Sequence, residues 1–311
     1  MKRKVLIFGA SGEIGGRVAR GCVEAGHKVT GVCRGANKRK AVDLSGVEII
    51  HGDKRDEPFI RDTVSKLEFD AVIDTVPSFN SFQMYHKYIK KAQNFFICSS
   101  TGTFVPLRYF PADENHPWRE KSPVNFWDQS NRDAYALELW EREQFPVTVF
   151  RPTNIIGPDR VPLELWGGRD IEFFRRLKSH QPVAIPPCQH ILLQSGSNSD
   201  LADAFVQALN HPEKVRGEMF IISCKRAITL GQYLQTAMEQ LGSRSEIQTV
   251  SPAELLKMHP EIQWEFGLEF LLEHMCFDIN KAETAFGYRP QKSTEDGLRD
   301  ALKWCQSAGI L

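Results

Sequence analysis

The chain has 311 residues, 41% of them hydrophobic, enough for one large or two intimate α/β domains around a substantial core. Lys+Arg and Asp+Glu each number 39, so the formal net charge is zero, which argues against a general nucleic-acid or polyanion binder. Seven scattered cysteines (22, 33, 98, 188, 224, 276, 305) without a Cys-x-x-Cys pair lead us to expect buried thiols in a reducing compartment and no zinc site, and the nine histidines, which lack ligand spacing, add no metal site.

Lys2-Arg3-Lys4 precedes an apolar run of only four residues, too short for the core of a signal peptide. No stretch approaches the ~20 apolar residues of a membrane span, so a cytoplasmic protein without membrane contact is expected. That first run, Val5-Leu6-Ile7-Phe8, is a predicted strand. Gly9-Ala10-Ser11-Gly12-Glu13-Ile14-Gly15-Gly16 follows at once, then a helical pattern through Val18, Ala19, Cys22, Val23 and Ala25, stopped by Gly26, then a second strand, Val29 to Cys33. Strand, glycine turn, helix and strand in this order make the first unit of a dinucleotide-binding fold. Gly9 permits the tight turn, Gly12 lets backbone N–H groups approach a pyrophosphate, and Gly15 lets the helix lie close to the sheet. Ser11, Glu13 and Ile14 belong to the same phosphate turn, at a helix N-terminus. Where an acid would grip the 2′-hydroxyl of NAD, the second strand ends in Cys33 and Arg34, with Lys38, Arg39 and Lys40 close behind. A cationic pocket suits a 2′-phosphate, so NADP is the expected cofactor, with NAD the alternative.

Val47 to Asp53 is a third strand ending in Gly-Asp, and Pro58 to Leu67 reads as a helix. Phe69 to Thr75 is a fourth strand, after which Val76 and Pro77 run under the cofactor. Gln83 to Lys91 is helical, and Phe95 to Thr101 is a fifth strand. Strands separated by helices predict a doubly wound parallel sheet of α/β class, a Rossmann fold, and ligands of such sheets lie at the carboxyl ends of the strands. Gly9, Arg34, Asp53, Val76 and Thr101 all fall there. Residues 104 to 129 break the pattern with four prolines (106, 111, 117, 123), Tyr109, Trp118 and Trp127. They are too aromatic to be disordered, so an ordered excursion beside the active site is expected. Ser130 to Gln144 is a helix, and Phe145 to Pro152 a sixth strand. Beyond it, Ile171 to Ser179 is a basic amphipathic helix, 183–186 and 190–194 are short strands, and a helix opens at Ser199. Residues 217–223 are another strand, followed by helices from Thr229 to Leu241 and from Thr294 to Cys305.

The Gly-x-x-Gly-x-x-Gly spacing, together with Arg151-Pro152-Thr153-Asn154-Ile155-Ile156-Gly157-Pro158 and Phe286-Gly287-Tyr288-Arg289-Pro290, resembles the extended branch of the short-chain dehydrogenase/reductase superfamily, the NAD-dependent epimerases and dehydratases. The resemblance covers nearly the whole chain, with residues 243–275 the least matched. It implies a dinucleotide-binding domain over residues 1–154 with a return segment at about 194–223, and a smaller interleaved substrate-binding lobe from 155–193 and 224–311. It places Asp53 against the adenine, Asn154 near the substrate, and a catalytic hydroxyl at Thr101 with Ser100 its neighbour. Homodimers through helices of the cofactor domain are frequent in that branch.

The superfamily's Tyr-x-x-x-Lys pair is absent. The family's spacing, with Glu138 on its glutamate and Phe145 opening the next strand, puts Ser130 where Tyr belongs and Ala134 where Lys belongs. A rival register puts Tyr135 on the Tyr and Leu139 on the Lys, at the cost of a helix a turn or more too short. Tyr135, about 100° round the helix from Ala134, faces sideways. A free Tyr titrates near ~10, so without a neighbouring cation it is a poor base at neutral pH. Tyr109, Asp113, Glu114 and His116 of the excursion, and His190 and Gln194 of the substrate lobe, are further acid/base or substrate-binding candidates. Two functions follow. One is an NAD(P)-dependent enzyme acting on a nucleotide-sugar-like or other polar small molecule through a non-standard acid/base. The other is a dinucleotide-binding regulator that has lost the chemistry. Gly52-Asp53-Lys54-Arg55-Asp56, Phe69-Asp70-Ala71-Val72-Ile73-Asp74 and the Arg151–Pro158 phrase also resemble the chloroplast stem-loop-binding proteins, which are associated with RNA. Basic clusters confined to Lys38–Lys40 and Arg175–Lys178 make a nucleic-acid partner the lesser expectation.

Overall fold

The computed structural model describes residues 2–35, 42–119, 128–260 and 265–311. The Lys38–Lys40 cluster and the part of the excursion carrying Pro123 and Trp127 lie outside them.

The first half of the chain alternates strand and helix: β1 (Lys4–Phe8), α1 (Glu13–Glu24), β2 (Lys28–Cys33), β3 (Val47–His51), α2 (Glu57–Asp62), β4 (Ala71–Asp74), α3 (Phe79–Tyr88), β5 (Asn94–Cys98), α4 (Gln129–Glu143) and β6 (Val147–Pro152). Then come β7 (Asn154–Ile156), α5 (Ile171–Lys178), β8 (Val183–Ile185), β9 (Leu192–Leu193), β10 (Ser195–Ser197), α6 (Asn198–Ala208), α7 (Pro212–Val215) and β11 (Glu218–Ile222). The chain finishes with β12 (Ile228–Thr229), α8 (Leu230–Leu241), β13 (Ile247–Thr249), α9 (Pro252–Met258), α10 (Glu265–Leu271), α11 (Asn280–Phe286) and α12 (Thr294–Ser307).

Seven of these strands form one parallel sheet in the order β11-β6-β5-β4-β1-β2-β3. The chain winds outward from β1 to β3, crosses back to β4 beside β1, and winds outward again, so the order reverses between β1 and β4. That switch point is where a ligand crevice opens in a doubly wound sheet. Helices cover both faces, so the central strands are apolar throughout. Val5, Leu6, Ile7 and Phe8 are fully buried, as are the strands through Ile73, Phe96 and Val149.

Helix α3 begins four residues earlier than its apolar pattern suggests, because Ser78 and Ser81 form a reciprocal capping box ahead of that pattern. The helix expected over 58–67 is the short α2 followed by one 3-10 turn at Val64–Lys66. The fifth strand stops at Cys98 rather than running to Thr101. Ser100 Oγ accepts from Gly102 N at 3.0 Å and caps a 3-10 turn, Thr101–Thr103, which takes Thr101 out of the sheet.

Candidate functional site

At the end of β1 the chain turns on Gly9, whose φ of +80° is left-handed and whose N–H donates to Val32 O at 3.1 Å. Gly12 N donates back to Gly9 O at 2.9 Å and Gly12 caps α1 without a side-chain hydrogen bond. A Cβ on Gly15 would lie 2.1 Å from Gly9 O, so helix and turn touch only because that atom is missing. The first-turn N–H groups of α1 therefore face the crevice with no capping side chain, the arrangement that receives a phosphate. Ser11 and Ile14 are half-buried in this turn. The Glu13 carboxylate is turned toward α6, where Asn198 Nδ2 donates to it at 2.9 Å, so only its backbone serves the turn. Arg17, one helical turn on, pairs with Asp159 at 2.5 Å and ties α1 to the loop beyond β7.

Arg34 is exposed at the end of β2. Asp53, after β3, is gripped by Arg55, which donates from Nη2 at 2.7 Å and from Nε at 3.1 Å. The guanidinium's hydrogen bonds pull the carboxyl down to about 2. The next residue, Lys54, reaches across to β4. Its ammonium donates to both Asp74 carboxylate oxygens, at 2.7 and 2.8 Å, and to Val76 O. Asp74, 1% exposed, also accepts from Tyr85 Oη at 2.8 Å and from Val76 N at 3.0 Å. Burial first, and then the Asp74 charge, push the Tyr85 phenol well above its usual range. The Val76 side chain itself is 56% exposed, an apolar surface at the carboxyl edge of the sheet, while Pro77 is buried.

The carboxyl ends of β5 and β6 are built differently. Asp133 of α4 lies between two guanidiniums: Arg132 Nη2 donates to Oδ1 at 2.8 Å, and Arg151 Nε donates to Oδ2 at 3.1 Å. Ser99 Oγ donates to the same Oδ2 at 2.5 Å. Arg132 also donates to Pro77 O at 2.9 Å, tying α4 to the loop after β4. The Arg151 guanidinium lies 3.9 Å from the Trp118 ring centroid and 4.6 Å from that of Phe104, covered by the excursion. Desolvation lowers the Arg151 pKa despite Asp133 beside it. All three charged side chains are buried.

Thr101 is buried next to this knot, its hydroxyl 3.4 Å from Pro152 O. Ser100 is committed to the cap described above. On α4, Ser130 is half-buried and Ala134 exposed, so a lysine at 134 has room, but none is there. Tyr135 packs against α3, edge-on to Phe82 and beside Phe79, with its hydroxyl 3.4 Å from His86 Nδ1. Burial raises its pKa, the opposite of what a proton acceptor needs. The structure therefore does not pair Tyr135 with Thr101.

The excursion is bolted down by the residues that sequence offers as acids and bases. His116 accepts from Arg108 N at 2.8 Å and meets Pro117 O at 2.9 Å, which makes its ring a buried brace. Glu114 accepts from Ile221 N at 2.8 Å and so covers the outer edge of β11. Asp113 accepts from Tyr109 Oη at 2.8 Å. Ala112 bridges to Phe277. Beyond β6, Asn154 donates to Ser195 Oγ at 3.0 Å and accepts from Arg169 at 2.7 Å. Gln194 is fully buried, donating to Cys224 O and Phe277 O and accepting from Phe277 N. A side chain so engaged ties the chain after β9 to the segments that carry Cys224 and Phe277. His190 is exposed, its ring near that of His274.

Sequence reading missed Lys54, Asp74, Arg132, Asp133 and Arg151. Each looks like an ordinary strand-end or helix charge, and only the fold reveals its partner. All seven cysteines are free. Among the described residues no His/Cys/Asp/Glu group fits a metal, and no helix is long and apolar enough to cross a membrane.

Residues 1–96 match the NmrA-like family. Over 96% of its length the chain is 27% identical to the chloroplast stem-loop binding protein of 41 kDa b of Arabidopsis thaliana, covering 78% of that protein. A shorter stretch of 113 residues, 35% of this chain and 34% of the relative, is 31% identical to the probable pinoresinol-lariciresinol reductase 3 of the same plant. Among solved structures, the UDP-glucose 4-epimerase of Thermotoga maritima matches with a TM-score of 0.76 at 18% identity, over 98% of this chain and 99% of that one. The dTDP-glucose 4,6-dehydratase of Bacillus anthracis, in complex with NAD, matches with a TM-score of 0.76 at 15% identity, over 98% of this chain and 96% of that one. The fold is thus the Rossmann-like architecture of the NAD-dependent epimerases and dehydratases, as the motifs suggest.

Proposed function

We propose that this protein is a nicotinamide-dinucleotide-dependent enzyme of oxidoreductase or epimerase type. It acts on a polar, nucleotide-sugar-like small molecule, with NADP preferred to NAD. The observation that carries this reading is the glycine turn. Gly9 is left-handed, Gly15 has no room for a Cβ, and the uncapped N-terminus of α1 faces the crevice at the switch point. The residues present fit the cofactor: Gly9, Gly12 and the α1 backbone at the pyrophosphate, Asp53 and Val76 about the adenosine, Arg34 at a 2′-phosphate. A nicotinamide dinucleotide held by these residues would supply or take up a hydride. Thr101, leaning on Pro152 O, orients a substrate oxygen. Asn154 and His190 stand on the substrate side. The proton does not pass through a Tyr–Lys pair, because Ser130 and Ala134 hold those places.

One observation favours a second reading, a dinucleotide-binding protein that has lost the chemistry. The ionisable groups at the ends of β5 and β6 are locked into the Arg132–Asp133–Arg151 knot. The similarity to a stem-loop binding protein points the same way, although zero net charge weighs against RNA.

Calorimetric titration with NADPH, NADP, NADH and NAD, followed by an NADPH-oxidation screen over nucleotide sugars and polar ketones, separates the two. Micromolar binding with turnover supports the enzyme, and binding without turnover supports the regulator. Failure of all four nucleotides to bind would refute the cofactor site on which both rest.

A further inference from the structure

The Lys54–Asp74 pair links parts of the sheet that are not neighbours. Lys54 follows β3, the last strand on one side, and Asp74 ends β4, on the far side of β1 and β2. Three strand spacings, about 14 Å, separate those strands, so the loop after β3 and the Lys54 side chain together traverse the carboxyl ends of β2 and β1. An ammonium has three protons. Here the three acceptors are Asp74 Oδ1, Asp74 Oδ2 and Val76 O. Lys54 is thereby saturated and is not a phosphate ligand. Asp74 receives Tyr85 Oη and Val76 N besides Lys54, so neither partner has a free bond to offer elsewhere.

The contacts continue on both sides. On the β3 side, Gly52 N donates to Cys33 O at 3.1 Å, and Asp56 N donates to Asp53 O at 3.0 Å, which fixes the loop that carries Asp53. On the β4 side, Tyr85 stacks on Phe8 at 4.7 Å, and Thr75 Oγ1 lies 3.4 Å from Phe8 O. A Cβ on either Gly9 or Gly15 would come within 3.1 Å of that same Thr75 hydroxyl. One ion pair, its carboxylate buried and its ammonium half-buried, therefore joins the Asp53 loop, the Val76 loop and the glycine turn.

We infer that Lys54 is a positioning residue: its bond to Asp74 and Val76 holds the three loops as one preformed unit, and that unit receives the adenosine half of a dinucleotide. The inference rests on the proposed cofactor site for its ligand, but the coupling of the loops is a property of the chain alone.

Lys54→Met removes the strap at nearly constant length. Lys54→Met/Asp74→Asn removes it without leaving a buried charge unpaired, and serves if the single variant does not fold. Titration with NADPH and with 2′,5′-ADP is expected to show the same loss, at least tenfold, for both ligands, because the damage lies in the half they share. Lys54→Arg is expected to recover most of it. Unchanged or tighter binding of both ligands in a folded variant would overturn the inference, as would a loss for NADPH alone. Amide hydrogen exchange needs no ligand. Val76 and the 53–56 backbone are expected to exchange faster together in both variants. Acceleration of neither, or of one without the other, overturns the coupling. Wild-type protein that binds no nucleotide yet shows the joint acceleration would refute the cofactor site while leaving the strap in place.

Discussion

The two ends of the carboxyl edge use their polar groups in opposite ways. At the glycine turn, α1 starts without a capping side chain, and the Val76 side chain and Arg34 are exposed. At the ends of β5 and β6, Ser99, Arg132, Asp133 and Arg151 face one another. The carboxylate there is fully buried and accepts from two guanidiniums and a hydroxyl, which engages three of its roughly four lone-pair sites within the knot. The first region leaves its donors and side chains open, and the second spends its polar groups on one another.

The variant that tests this most severely is Asp133→Ala. It strands two buried guanidiniums, so unfolding in urea is expected to show a loss of about 3–5 kcal/mol. A loss below about 1 kcal/mol would mean that the knot is not structural, and its residues would again be candidates for chemistry. Gly15→Ala attacks the other region. Its Cβ would meet the Gly9 carbonyl, which is backbone and cannot step aside. We expect about 2–3 kcal/mol of destabilisation from overpacking and loss of nucleotide binding, read by denaturation and by titration. Wild-type affinity in this variant would remove the glycine turn from the site.

The same division explains what could be read from the sequence. The glycine turn was legible because each glycine answers a local backbone demand, a left-handed φ or a missing Cβ, within seven residues of its partners. The doubly wound parallel sheet was legible for a similar reason: apolar strands between helices admit few topologies. The knot was not legible. Asp133 meets Ser99 across 34 residues and Arg151 across 18, and only the placement of β5, α4 and β6 brings them together. Lys54 and Asp74, 20 residues apart, meet over two intervening strands. The excursion's ionisable residues read as possible catalysts because their type is visible in sequence, whereas their partners are not. Glu114 holds a backbone N–H 107 residues away.

A smaller effect sharpens the cofactor side. Arg34 is exposed, so Arg34→Ala is expected to leave stability within about 0.5 kcal/mol. If it meets a 2′-phosphate, the ratio of NADP to NAD affinity falls roughly tenfold, about 1.4 kcal/mol. An unchanged ratio would leave Arg34 out of cofactor choice.

The smallest expected effect belongs to Tyr135, and it bears most directly on the comparison. Tyr135→Phe keeps the ring against Phe79 and Phe82 and removes only a hydroxyl 3.4 Å from His86. That long contact is worth little, so stability should change by about 0.5 kcal/mol or less. Any turnover found in the substrate screen should stay within twofold. A tenfold or greater loss of turnover, with nucleotide affinity intact, would place the phenol in the proton path. It would then require α4 to turn so that Tyr135 leaves α3 and approaches Thr101, and such a turn would also pull Asp133 away from Ser99 and Arg151. A chemical role for Tyr135 and a structural role for the knot are thus mutually exclusive, and this one substitution decides between them.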